Sequence, residues 1–249
     1  MMLSSSSILA SGPKYRLVWM DHFNRPTIDT CSWSKLERGT SDWNRHMSDG
    51  DSLYAVRNGN LILRGTVNTA TQQDTARYVT GGLCTQHKRT IGYGKVEVRA
   101  RLGRAQGAWP AIWMLPDGDV RWPKGGEIDI MEHLNHDSIV YQTVHSYYTL
   151  ELDKTNTPPH GSTHAIDRDG FNTYSVEVLP DSLVFSVNGD RYFSYPRIQT
   201  DKEGQYPFGQ PYYLLVDMQI EGSWVGKADS KQLPVEMEVD WVKFYEMME

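Results

Sequence analysis

Apolar and polar residues alternate in short runs along most of this 249-residue chain. Val96, Val98 and Ala100 take turns with Glu97, Arg99 and Arg101, and Tyr174, Val176 and Val178 repeat the pattern. A period of two marks a strand with one buried face. Turn residues punctuate the runs: Asn58-Gly59-Asn60 separates 53–57 from 61–67, and Asn188-Gly189 separates 183–187 from 191–195. Asn-Gly between two such runs predicts a tight hairpin, because the favoured turn needs positive φ at both central residues. Leu17 and Trp19 suggest an N-terminal strand, residues 68–77 an exposed loop, and 212–220 and 236–244 two further strands. No long stretch holds a helical period. The expected fold is therefore all-β, an antiparallel β-sandwich.

Nothing divides the chain into parts. Without a repeat, linker or shift in composition, residues 13–249 are expected to form a single domain behind a disordered lead at 1–12. That lead has neither a basic start nor a long apolar core, so it is not a complete signal peptide. It reads as the remnant of an export signal, with a secreted, periplasmic or cell-surface protein as the expectation. No later segment is long enough to span a membrane. A net charge of −6 argues against nucleic acid or anionic membranes as partners. Cys31 and Cys84 are the only cysteines, and the sequence leaves open whether they pair.

Residues 125–133 read Gly-Gly-Glu-Ile-Asp-Ile-Met-Glu-His. On a strand, Glu127 and Asp129 share one face and Ile128 and Ile130 the other. Strict alternation would then bury Glu132 among the isoleucines, which is costly. One extra residue, a β-bulge at Ile130–Met131, repairs the register and aligns Glu127, Asp129 and Glu132 on one face. Retaining glycoside hydrolysis needs such a row, with a carboxylate nucleophile and a carboxylic acid flanking a sugar bond. An acidic, solvated strand is the plain alternative. The flanks weigh against it, since Trp109, Trp113 and Trp122 precede the stretch and His145 follows. Eight Trp and fourteen Tyr suit carbohydrate surfaces as well as cores.

The segment resembles the Glu-x-Asp-x-Met-Glu signature of glycoside hydrolase family 16, in its laminarinase-like branch. Residues 107–116 are similar to the family strand before it, and Thr143-Val144-His145 to the strand after it. Gly222-Ser223-Trp224 and Val239-Asp240-Trp241-Val242 are similar to its C-terminal motifs. The resemblance implies a jelly roll with a concave substrate cleft. It also implies Glu127 as nucleophile, Asp129 as its assistant and Glu132 as general acid/base. Trp109, Trp113, Trp122, His145, Asn44, Gln219 and Trp224 are the candidate substrate contacts. Asp217, Gln219 and Glu221 stand where the commoner laminarinase pattern has Asn, Ala and Gly. The family often carries a structural Ca²⁺ held by an early Glu, a carbonyl near a Gly such as Gly59, and an Asp such as Asp240. Here His22 occupies the Glu position, which disfavours the ion.

The expectation is a monomeric, endo-acting, retaining β-glycanase with no required cofactor or metal. Its substrate would be a polysaccharide or oligosaccharide, first a β-1,3- or mixed β-1,3/1,4-glucan. Endo-cleavage of β-galactosides in mucin-type or keratan-like glycans is the alternative within the class. A non-catalytic carbohydrate-binding module is the alternative outside it, disfavoured by an acid trio it has no use for. A metal-dependent enzyme is the weakest reading, since His133, His136 and His145 lack ligand spacing on one face.

Overall fold

The computed structural model describes residues 13–70, 72, 74–198 and 203–248; the expected lead at 1–12 lies outside them. The first strands are β1 (Tyr15–Asp21), β2 (Ser34–Lys35), β3 (Tyr54–Arg57), β4 (Asn60–Val67), β5 (Tyr78–Thr80) and β6 (Gly82–Cys84). Next come β7 (Thr90–Ile91), β8 (Gly94–Leu102), β9 (Ala108–Pro116), β10 (Glu127–Glu132), β11 (Ile139–His145) and β12 (Gly161–Ala165). The last are β13 (Asn172–Val178), β14 (Ser182–Val187), β15 (Asp190–Pro196), β16 (Tyr212–Ile220) and β17 (Val235–Met247). The α-helix among the described residues is one turn, α1 (Tyr147–Leu150), capped by Ser146.

The strands form two sheets. One runs β15-β14-β13-β8-β17-β4-β3, with β1 beside β17 and β5 beside β4. The other runs β12-β11-β10-β9-β16-β6-β2, with β7 beside β16. All these pairings are antiparallel. Both Asn-Gly hairpins form as expected, with φ of 55° and 76° at Asn58 and Gly59 and 53° and 85° at Asn188 and Gly189.

The core lies between the sheets. Ile112, Met114, Ile128, Val144, Leu214 and Val216 of the second sheet join one cluster with Leu61, Val96, Val98, Val176, Phe185 and Phe244 of the first. Burying each such side chain stabilises the fold by about 1.5–3 kcal/mol. The second sheet also carries apolar residues on its outer face, where Leu36, Met47, Cys84, Ala111, Trp113, Tyr213 and Leu215 form a smaller cluster. Every residue of β16 is consequently buried, and its odd-numbered side chains form part of a covered outer floor. Cys84 is buried in this cluster, Cys31 is exposed, and both are free thiols.

Gly107 anchors the start of β9. Its N–H donates to Asn135 Oδ1 at 2.6 Å, and its carbonyl accepts from the Glu221 N–H at 2.9 Å. Its φ is +80°, and a Cβ there would lie 2.4 Å from the Ala228 Cα. Backbone on one side and a left-handed φ on the other leave no room for a side chain. Gly107→Ala should lower unfolding free energy by about 1–3 kcal/mol in chemical denaturation. A midpoint equal to that of the parent would contradict this anchoring.

Candidate active site

The pairing of β10 contains the extra residue. Against β11, Glu127, Ile128 and Asp129 face His145, Val144 and Thr143, but Glu132 faces Tyr141, so β10 takes three steps where β11 takes two. Against β9, Asp129 faces Trp113 while Met131 faces Ile112, which leaves Ile130 unmatched. The bulge falls where the sequence requires it. Ile128, Ile130 and Met131 all enter the core, and Glu127, Asp129 and Glu132 line a cleft of about 710 Å³ on the outer face.

The register also lays out the floor in rows. Asp217, Ala111, Glu132 and Tyr141 lie side by side on β16, β9, β10 and β11. Leu215, Trp113, Asp129 and Thr143 form the next row. Gln219 lies beside Trp109.

Two acids of the trio each accept an indole N–H, and the third lies beside a histidine. The Trp122 Nε1–H donates to Glu127 Oε2 at 2.8 Å, and the Trp109 Nε1–H donates to Glu132 Oε1 at 2.9 Å. His145 Nε2 lies 3.3 Å from Asp129 Oδ2 and 3.8 Å from Glu127 Oε1. Trp113 points elsewhere: its N–H donates to Asp217 Oδ2 at 2.8 Å, and Asp217 Oδ1 accepts from Gln219 Nε2 at 2.7 Å. Trp224 stands half-exposed at the rim, edge-on to Trp109 and Tyr141 with centroids 5.7 and 5.2 Å away.

Asn44 is the expected contact that the fold does not bring to the cleft. Its Oδ1 accepts from the Ser41 N–H at 3.1 Å, closing its own turn as Asn side chains do. Its loop neighbours Ser41 and Trp43 line the cleft in its place, with Trp43 edge-on to Trp113 at 4.8 Å. Ala111, Leu115 and Thr143 line it too. Thr143 was legible from alternation with His145. Trp43 stands in the same aromatic-bearing loop as Asn44, but no periodicity sets its direction.

Burial dominates the electrostatics. It pushes Glu127 up to about 8, with Asp129 adding to the rise and His145 and Trp122 opposing it. Glu132 lies well above its ordinary value, first through burial and then through the charge of Asp129, with Trp109 opposing. Asp129 is raised by burial and by Asp217, while its hydrogen bond with Glu127 lowers it. Asp217 itself is pushed up to about 7. Loss of water contributes more to the rise at Glu132 than the neighbouring carboxylates do. Burial thus raises every carboxyl of the cluster, and the Trp122, Trp109 and Trp113 indoles oppose the rise at Glu127, Glu132 and Asp217. A raised carboxyl suits the acid's role, and donors beside its neighbour favour the ionised form that a nucleophile needs.

Glu127, Asp129 and His145 offer ligand atoms within 4.8 Å of one another, a donor set suited to a divalent cation. The calcium position implied by resemblance fits poorly. Asp240 accepts from the Arg99 guanidinium, and His22 brings no oxygen ligand.

The chain is similar to several known glycosidases. The family model described as glycosyl hydrolases family 16 matches residues 48–243. A keratan-sulfate endo-1,4-β-galactosidase of Sphingobacterium multivorum is 34% identical over 94% of this chain and 56% of its own length. A β-glucanase of Rhodothermus marinus is 31% identical over 95% of this chain and 87% of its own length. Among solved structures, a non-specific endo-β-1,3(4)-glucanase of family GH16 superposes with a TM-score of 0.85 at 31% identity, covering 94% of this chain and 92% of that one. The two sheets are thus the jelly-roll sandwich of these neighbours.

The indole donors have a signed consequence. Each N–H lowers the pKa of the carboxyl it touches. Trp122→Phe should move the titration midpoint of Glu127 to higher pH, and Trp109→Phe that of Glu132, followed by side-chain carboxyl ¹³C NMR. An unchanged or lower midpoint would show that the indoles do not stabilise the ionised forms.

Proposed function

The chain belongs to glycosyl hydrolases family 16, and from that membership we propose that it is an endo-acting β-glycanase working by retaining double displacement. One observation carries the reading. The bulge in β10 turns Glu127 and Glu132 to the same face of one cleft, each held by its own indole N–H. A binding module gains nothing from burying a row of carboxyls.

The roles follow from the surroundings. Glu132, whose burial favours the protonated form, gives its proton to the glycosidic oxygen as the C1–O bond breaks. Glu127 attacks C1 and forms a glycosyl ester, with Trp122 and His145 favouring its ionised state. Esterification removes the charge of Glu127, so Glu132 loses one of the groups that raise its pKa. The resulting lower pKa suits its second task, taking a proton from the water that hydrolyses the ester. Asp129, between them and beside His145, shares a proton with Glu127 and limits repulsion in the row.

The first substrate reading is a β-1,3- or mixed β-1,3/1,4-glucan, supported by the glucanase neighbours. A second reading, a β-galactoside of keratan or mucin type, is favoured by the galactosidase relative and by the polar pair Asp217 and Gln219 in the floor. Such glycans lie outside cells, and a secreted, periplasmic or cell-surface enzyme fits them. A monomer is the proposed state.

Incubation with laminarin, mixed-linkage β-glucan, keratan sulfate and mucin oligosaccharides, with products analysed by mass, should give internal cleavage of one class. Glu127→Gln should lower kcat/KM on it by at least about a thousandfold while the fold is kept. Glu132→Ala should lose far less on an activated aryl glycoside, whose leaving group needs no proton. Near-parental turnover in Glu127→Gln, or equal losses on both substrates in Glu132→Ala, would overturn the assignment.

A further inference from the structure

Asp217 and Gln219 lie outside the chemistry just described. Both are buried, at 0% and 2% exposure, on the cleft-facing side of β16. Asp217 is two strands from Glu132, with the methyl of Ala111 between them in the row. Gly82 flanks it on the other side, where a Cβ would lie 2.7 Å from the Asp217 Cβ. Gln219 lines the cleft beside Trp109.

The hydrogen bonds fix which way the amide of Gln219 faces. Indole N–H only donates, so Asp217 Oδ2 must accept from Trp113. Its Oδ1 accepts from the amide NH₂ of Gln219 at 2.7 Å. The amide carbonyl is thereby turned away from Asp217. That Oε1 is buried and has no partner among the described residues. A buried acceptor left unpaired is unfavourable, and the site is complete only when a donor arrives. The terminal amide torsion is soft, so a slight turn reaches such a donor.

We propose that Gln219, oriented by Asp217, is a specificity-determining residue whose side-chain carbonyl accepts a hydrogen bond from a hydroxyl of the sugar bound next to the one being cleaved. The inference rests on the glycanase reading. It deepens that reading by making part of the discrimination an acceptor that only a correctly placed hydroxyl satisfies. A site built around such a bond rejects the analogue that lacks it.

The test uses the glycan that the parent enzyme cleaves, together with its monodeoxy analogues. Gln219→Met keeps the volume and removes the acceptor. It should lower kcat/KM on the glycan by about ten- to a hundredfold. One deoxy analogue should show the same loss with the parent and no further loss with Gln219→Met. Asp217→Asn lets residue 217 donate, so the Gln219 amide turns over and presents NH₂. This variant should lose a similar factor, and the double variant no more than either single one. The proposal is overturned if Gln219→Met stays within about twofold of the parent on the glycan, or if every deoxy analogue loses as much in the variant as in the parent. It is also overturned if the two substitutions act additively. Asp217→Asn and the deoxy series on the parent decide the matter even where Gln219→Met folds poorly. If the parent cleaves no β-glycan, the glycanase reading itself fails. If it does and the variants match it, only this inference fails.

Discussion

One unmatched residue in β10 sets the character of the whole cleft. Were Ile130 paired like its neighbours, Met131 would face the cleft and Glu132 would enter the core between the sheets. Instead Ile128, Ile130 and Met131 all pack inward, and the strand absorbs the offset as a bulge against both β9 and β11. Two opposing demands meet here. The core excludes a charge, and the cleft gathers three carboxyls. Only an extra residue satisfies both, because side-chain direction on a strand flips at every step.

Gathering the acids creates a second problem. Two unit charges about 5 Å apart repel by about 3 kcal/mol at an effective dielectric of about 20. The fold answers with protons and donors rather than with cations. Burial raises the whole cluster, and the Trp122 and Trp109 indoles, with His145, lower particular members of it. Asp217 extends the cluster sideways into β16 and is stabilised the same way, by Trp113 and Gln219. Each tryptophan of β9 thus acts through its N–H as well as its ring. Trp109 serves Glu132, and Trp113 serves a carboxyl on the opposite side.

This division explains what the sequence could and could not convey. Alternation and Asn-Gly turns made the strands legible, and the cost of burying Glu132 made the bulge legible, because both are local rules. Trp109, Trp122 and His145 were legible from their position around β10. Asn44 was not, since a polar residue in a loop can turn toward its own backbone as readily as toward a ligand. Trp43 was missed for the same reason, as no period fixes the direction of a loop side chain. The partner of Trp113 is a residue 104 positions away, so only the register of β16 against β9 makes that hydrogen bond visible. The weight of burial over neighbouring charge at Glu132 depends on the covered cleft, which no short window of sequence contains.

The central claim is that Glu127 attacks and Glu132 transfers protons on one face of one cleft. The anomeric form of the first product tests it most directly. With a β-linked glycan as substrate, ¹H NMR at early times should show the new reducing end appearing as the β-anomer, before mutarotation supplies the α form. Initial release of the α-anomer would mean single displacement by water, and Glu127 would not be the nucleophile.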